Sequence, residues 1–425
     1  MTSRTLIRRL YRDDFVRHGA LVFAGTMAGN VGGYVYHFAL SRQLGPVGYG
    51  ELLSLISLLM IAGVPASVVA TVVARYAAEF HALGDRDHLR GLVEWIVRVG
   101  VVGGLVVLAV GTGLLGAIAR YLHLPTATPV LLALIAGALS FFGPVMRSVL
   151  QGCHRFSGFS ASSAVEGVGK ALFGVLAVAV GFGVAGAVGG FAAGSLAGLL
   201  LTLALVRSEL GERAPFRIDL RRFVETTVGV GGSSLATTAL MTVDVVMARH
   251  YLPPHEMGYY AAASLVGRSI LFALGFVPGV MIPKASALHA KGESASGVLL
   301  RGLLLAGAAS LAALIVLAAD PSLAVRIVAG GQFLPAAHYV LAYGVAMMFL
   351  TGTATLVSYR TSLHRFGYVL PLLAVAAAEV AALAAWHADV RAFLAVVVAA
   401  NAVGFGISLF GANPPNTIVL FAKEA

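Results

Sequence analysis

The stretch LSRQLGPVGYGELLSLISLL, residues 40–59, sets a cluster of turn-forming residues between two long apolar runs. Roughly two hundred residues later ARHYLPPHEMGYYAAASLVG, residues 248–267, repeats the arrangement: an Arg or His, a Leu and a Pro, a Gly-Tyr pair, then a second apolar run. Either these are two loops of a soluble protein, or they are matching joints in a duplicated membrane bundle.

Composition decides between the two. The 425 residues are 59% hydrophobic and 11% charged, against roughly 25% charged for a soluble domain. Mean hydropathy is +0.90. Such a chain has too little polar surface to cover a globule, so lipid is the solvent for most of it. The single cysteine, Cys153, excludes an internal disulfide, a zinc spacing and a redox pair. The N-terminal MTSRTLIRRLYRDDF is basic and amphipathic but lacks a short apolar core with a cleavage site. It reads as a cytoplasmic segment retained on the membrane surface.

A helix needs roughly 20 apolar residues to cross the hydrocarbon core. That ruler predicts spans at 18–41, 50–74, 92–117, 126–149, 158–180, 184–206, 224–248, 258–283, 297–319, 334–358, 367–386 and 392–411. The loops supply a separate test. With a cytoplasmic N-terminus, the inner segments hold twenty of the 29 Lys and Arg and the outer loops five, with Arg98, Lys170, Arg268 and Arg301 left within or at the edge of spans. Both termini are therefore expected in the cytoplasm, in a multi-pass protein of the inner (plasma) membrane. The predicted organisation is a basic segment 1–17, a six-helix lobe 18–206, a basic linker 207–223, a second six-helix lobe 224–411 and a cytoplasmic tail 412–425.

The opening turn belongs to a repeat. Each half runs from a basic segment into a long helix, an outer Gly-Tyr turn and a helix with a mid-span proline, Pro65 or Pro278, followed by His81-Ala82 or His289-Ala290. Matching points lie 208 to 213 residues apart, so a duplication of six helices is the simplest reading. Six is even, and both halves enter the membrane in the same direction. The fold class is thus an all-α integral membrane protein of about 12 transmembrane helices, in two six-helix bundles related by a parallel pseudo-twofold repeat, with a substrate cavity expected between them. Tyr49, Tyr259 and Tyr260 are expected at the aromatic belt. The two prolines free backbone carbonyls and permit bending or gating.

LGPVGYG after the first span, LQGCHRFSGFSA between the fourth and fifth, and VDVVMARHYLPPHEMGYYAAA across the seventh and eighth resemble the polysaccharide transporter family. That family includes the O-antigen flippases and belongs to the multidrug/oligosaccharidyl-lipid/polysaccharide exporter superfamily. YLPP departs from the Leu-Gly more usual at that turn. The resemblance implies a membrane transporter, not an enzyme.

An ionisable group in a span costs roughly 2.5–3.5 kcal/mol and is a candidate site unless a partner or snorkelling explains it. Arg268 lies deep in the eighth span and is expected to face the cavity. Arg98 and Arg147 stand near the cytoplasmic ends of their spans, where snorkelling is an equal reading. Lys170 follows Glu166 by four residues, the favourable order for an intrahelical pair, so a structural pair and a site stay open together. GVGKA lacks the first Gly of a phosphate loop and the Ser or Thr after Lys, and it sits in a span. ATP hydrolysis is rejected. Asp244 is a coupling or turn-pinning candidate, and Glu379, with no basic neighbour in sequence, is protonated or paired across helices. Gly186, Gly190, Gly194 and Gly198 recur every four residues and mark a helix interface. The histidines show no metal spacing.

Three functions are weighed. The first is a flippase carrying a polyprenyl-pyrophosphate-linked oligosaccharide to the outer leaflet by alternating access for surface polysaccharide biosynthesis. Arg268, Arg98, Lys170 and Arg147 would supply charge, and Asn30, Tyr359, Ser233, Ser234, Thr237 and Thr238 polar lining. The second is a cation-coupled multidrug antiporter of the same superfamily, which would need uncompensated carboxylates. A scaffold without transport leaves Arg268 unexplained. The expected partners are the lipid-linked oligosaccharide, membrane lipids and a polysaccharide polymerase or ligase, with no nucleic acid, metal or cofactor. Coupling to membrane potential, H+ or Na+ stays open. Arg268→Ala is expected to abolish export in a protein that still inserts.

Overall fold

Gly45, in the opening stretch, has φ 69° and ψ 179°. A side chain is strained at that φ, and the following Pro46 disfavours a helical conformation at this position as well. The helix Asp14–Ala62 (α1) is therefore two helices meeting at a sharp bend. The Tyr49 hydroxyl reaches the His37 Nδ1 at 3.2 Å, although twelve residues of unbroken helix would separate them by about 18 Å. Gly45→Ala is expected to cost about 1–2 kcal/mol, read as a lower unfolding temperature in detergent. An unchanged temperature would remove this account of the bend.

The computed structural model describes residues 14–212, 214–216, 227–291 and 293–410, and all regular structure among them is helical. The expected surface segment lies outside the described residues over 1–13, as do much of the basic linker (213 and 217–223), the first three residues of the expected seventh span (224–226) and the tail from 411. After α1 come α2 Val64–Ala82, α3 Arg86–Tyr121, α4 Thr128–Gly152, α5 Phe156–Ala177 and α6 Gly183–Arg207. Beyond the linker follow α7 Gly232–Tyr251, α8 Pro254–Ala273, α9 Phe276–Ala290, α10 Ser296–Ala319, the short α11 Pro321–Val328, α12 Ala337–Ser362, α13 Val369–Ala385 and α14 Val390–Phe410. Two compact units result, Met1–Thr226 and Thr227–Ala425.

Nine helical stretches among the described residues are long and apolar enough to cross a membrane, and α13 is shorter. The predicted count of twelve is not reached by length and apolarity alone. The stretch Phe156–Arg207 counts once although it reverses through Gly181 and Gly183, both at positive φ, and holds two predicted spans. Pro65 and Pro278 do not sit inside continuous helices. Gly63 interrupts the chain between α1 and α2, Leu274 and Gly275 interrupt it between α8 and α9, and each proline falls in the first turn after its break, where its missing N–H costs nothing.

In the first unit the predicted glycine stripe is where α5 and α6 touch. A Cβ at Gly190 would overlap the backbone of Gly174, one at Gly194 that of Lys170, and one at Gly198 would meet Glu166. The partner number falls as the glycine number rises, so the pair is antiparallel and packs backbone to backbone. Helix α1 meets the other side of α5, with Gly32 against Gly167.

A second repeat marker went unread in the sequence. Gln151–Phe156, QGCHRF, and Thr361–Phe366, TSLHRF, end α4 and α12. His154 and His364 stand at φ 56° and 53°. The N–H of His154 donates to Gln151 O at 3.1 Å and that of Arg155 to Leu150 O at 2.8 Å. His364 and Arg365 repeat this on Thr361 and Arg360 at 3.0 and 2.9 Å. These are the paired bonds of a helix ended by a left-handed residue, placed 210 positions apart.

Candidate functional site

In the first unit, α4 and α5 bring three charges together. An Arg147 Nη1 donates to Glu166 Oε2, and Lys170 Nζ donates to Glu166 Oε1 at 2.5 Å. Lys170 Nζ also lies 3.8 Å from the centre of the Phe191 ring on α6, a cation–π contact. Arg147 and Glu166 are each 8% exposed. One carboxylate between two cations leaves a net positive charge, and it faces a cleft of about 640 Å³. The cleft is lined by α1 at Gly29 and Gly33, by α2 at Ser67 and Thr71, by α4 at Ser148 and Gln151, and by α5 at Ser163. Hydroxyls and an amide thus surround a cationic floor, a donor set suited to an anion attached to a polar, hydroxylated group.

The intrahelical Glu166–Lys170 pair is formed. Its third member, Arg147, is not snorkelled; it crosses from another helix 19 residues away, a contact that one helix's periodicity does not contain. The backbone of Asn30 lies in α1 beside Gly29, and its side chain is outside the described residues. Arg98 stands exposed on α3 and is absent from the cleft wall.

The second unit holds a different cluster. Asp244 on α7 is fully buried. Its Oδ2 accepts from the Tyr260 hydroxyl at 2.6 Å and the Tyr343 hydroxyl at 2.7 Å, and its Oδ1 lies 3.4 Å from Arg268 Nη2. That Nη2 also donates to Met241 O at 2.6 Å. Arg268, expected to face the cavity, is 5% exposed and is enclosed by its neighbours. Tyr260 and Tyr49, expected at the aromatic belt, are both fully buried. Their hydroxyls have partners inside the fold, Asp244 and His37, which makes burial cheap.

Glu379 on α13 is 1% exposed, and neither of its oxygens has a hydrogen-bond partner among the described residues. The Oδ1 of Asn401 on α14 is likewise unpartnered. An ionised carboxylate left so is costly, so the place suits uptake of a proton or small cation. Tyr359 lies half-buried near the end of α12. Among the described residues no group of three or more His, Cys, Asp or Glu side chains is arranged to hold a metal.

A family profile described as "Polysaccharide biosynthesis protein" matches residues 15–289. No curated protein matches the sequence. Among solved structures, an inward-facing multidrug resistance MATE family transporter of the MOP superfamily superposes with a TM-score of 0.73 at 11% identity, covering 90% of this chain and 92% of that one. An outward-facing MATE family transporter of the same superfamily gives 0.63 at 12% identity, covering 91% and 92%. A MOP superfamily transporter from Pyrococcus furiosus, for which reverse polarity of the binding pocket suggests a different function, gives 0.62 at 12%, covering 91% and 93%.

Proposed function

Because the chain belongs to the polysaccharide biosynthesis protein family and has the fold of MOP-superfamily transporters, we propose that it is a flippase for a polyprenyl-pyrophosphate-linked oligosaccharide. It acts in the cytoplasmic membrane with both termini in the cytoplasm, by alternating access. The observation that carries this reading is the cationic cleft of the first unit. A pyrophosphate crossing hydrocarbon must replace its lost hydration, and Arg147 and Lys170 offer charge-assisted donors while Glu166 takes up only one of their two charges. Ser67, Thr71, Gln151 and Ser163 offer hydrogen bonds to sugar hydroxyls. The polar groups of the lipid thereby cross without an unpaired charge facing the lipid tails.

Mass spectrometry of polyprenyl-linked intermediates in cells lacking the protein, with assay of the membrane face exposing them, tests this. A completed oligosaccharide accumulating on the cytoplasmic face is expected. Normal surface glycan without accumulation would overturn the reading. An inside-negative potential favours outward movement of an anion by about 2.3 kcal/mol per charge per 100 mV. Dissipating it is therefore expected to slow flipping in vesicles, and equal rates with and without an imposed potential would remove that contribution.

The second reading, a cation-coupled multidrug antiporter, is favoured by one observation, the buried and unpartnered carboxyl of Glu379. Such a group can take up a proton or cation as one substrate leaves and release it as the next one binds. Drug-resistance profiling distinguishes the readings: Glu379→Gln would abolish resistance under the second, and there would be no resistance to lose under the first.

A further inference from the structure

The helices that wall the cationic cleft continue into a second cavity of opposite character. On α4, Val130, Leu134, Gly137 and Phe141 are followed by Ser148 and Gln151 on one stripe, at steps that keep one helix face. The first four line an apolar groove of about 360 Å³, and the last two line the cleft. The neighbouring chain repeats the change. Leu55, Leu59 and Ala62 of α1 line the groove, and beyond the break at Gly63, Ser67 and Thr71 of α2 line the cleft.

The third wall of the groove is α3, through Val99, Gly103, Gly104 and Val107. Every lining side chain is hydrocarbon, and the adjacent glycines hollow the helix surface: a Cβ at Gly103 would meet nothing within 4 Å. Val99 is 41% and Val107 49% exposed, so the groove opens sideways toward the lipid. At about 30 Å³ per water-sized group, its volume of about 360 Å³ takes roughly a dozen heavy atoms, about two isoprene units.

We propose that this groove seats the proximal part of the substrate's polyprenyl chain while the phosphates occupy the Arg147–Lys170 cleft. The inference rests on the flippase reading above and adds where the tail goes. Charge complementarity selects the occupant: the shared stripes lead from hydrocarbon to hydroxyl and amide groups beside Arg147 and Lys170, which also line the cleft, and this matches a lipid with a strongly anionic head on an apolar chain. A diacyl phospholipid brings two chains and a weaker charge. The tail keeps its apolar contacts as the head enters the cleft, so loading draws no hydrocarbon into the polar region.

The test uses the full-length protein in phospholipid vesicles and a polyprenyl diphosphate carrying a diazirine in its proximal isoprene units. After illumination, the crosslinks are mapped by mass spectrometry. Labels are expected on 99–107 and 130–141. Gly103→Phe, which fills the groove, is expected to reduce labelling there by about tenfold, the worth of displacing about two buried methylenes. Gly116→Phe is the control, because Gly116 is equally open but does not line the groove, and it is expected to label normally. Should Gly103→Phe fail to fold, Val107→Trp obstructs the groove from the same helix. Labels confined to other helices would overturn the groove and leave the flippase reading standing. Labelling competed equally by phosphatidylglycerol would assign the groove to bulk lipid and overturn the proposal. No labelling anywhere would remove both.

Discussion

Glu166→Gln is expected to lower the stability of the first unit by about 3–5 kcal/mol, while Lys170→Met leaves it folded and stops transport. The two outcomes come from one charge count. Glu166 is the sole carboxylate between Arg147 and Lys170, so making it neutral leaves two buried cations facing each other. Lys170→Met instead leaves a neutral Arg147–Glu166 pair and removes the surplus charge on which binding of an anion depends. Truncating one partner of a buried charge contact costs about 2–5 kcal/mol, which is a rate or affinity loss of at least about thirtyfold. Thermal unfolding in detergent and flipping in vesicles, measured on both variants, check the pair. Wild-type transport by Lys170→Met would release the cleft from substrate binding. Wild-type unfolding by Glu166→Gln would mean that the triad is solvated.

In the second unit Arg268→Ala is expected to lose about 3–5 kcal/mol of stability, with part of it restored by adding Asp244→Asn. Arg268 faces Asp244 in a fully buried setting, and two tyrosine hydroxyls already donate to that carboxylate. Removing the guanidinium strands the anion; removing the anion's charge as well relieves it. A double-mutant cycle read by unfolding temperature isolates that coupling. Strictly additive losses would show that Arg268 does not balance Asp244. A transport defect in Arg268→Ala at unchanged unfolding temperature would return Arg268 to the role the sequence suggested.

Features set by local spacing could be read from the chain. The turn at Gly45 announces itself as Gly-Pro between apolar runs, the four-residue glycine period gives the α5–α6 contact, and Glu166 and Lys170 are neighbours by helical geometry alone. Pairings between helices were not legible. Arg147 and Arg268 look alike in sequence, each a cation near or within an apolar run, and only packing shows that both are paired with carboxylates. Hydropathy likewise cannot separate a tyrosine at a membrane surface from Tyr49 or Tyr260, whose buried hydroxyls are satisfied by His37 and Asp244. The HRF repeat was visible as letters, yet its meaning lies in two left-handed histidines that composition does not mark.

Those histidines bear on ancestry. His123 ends α3 with the same two backbone bonds, so the left-handed cap by itself carries no history; what His154 and His364 add is a shared His-Arg-Phe sequence around that cap, 210 positions apart. That spacing falls within the 208 to 213 residues that separate the other matching points of the two halves, as a duplication would require. A half with an even number of crossings begins and ends on the same side of the bilayer, so its product could assemble as a pair of identical chains, and an in-frame tandem copy joined by a short connector would preserve that assembly without reinserting either half upside down. Under a duplication, fusion would free the two copies to diverge, which is what the surplus cation in the first unit's cleft and the enclosed Asp244–Arg268 pair of the second display.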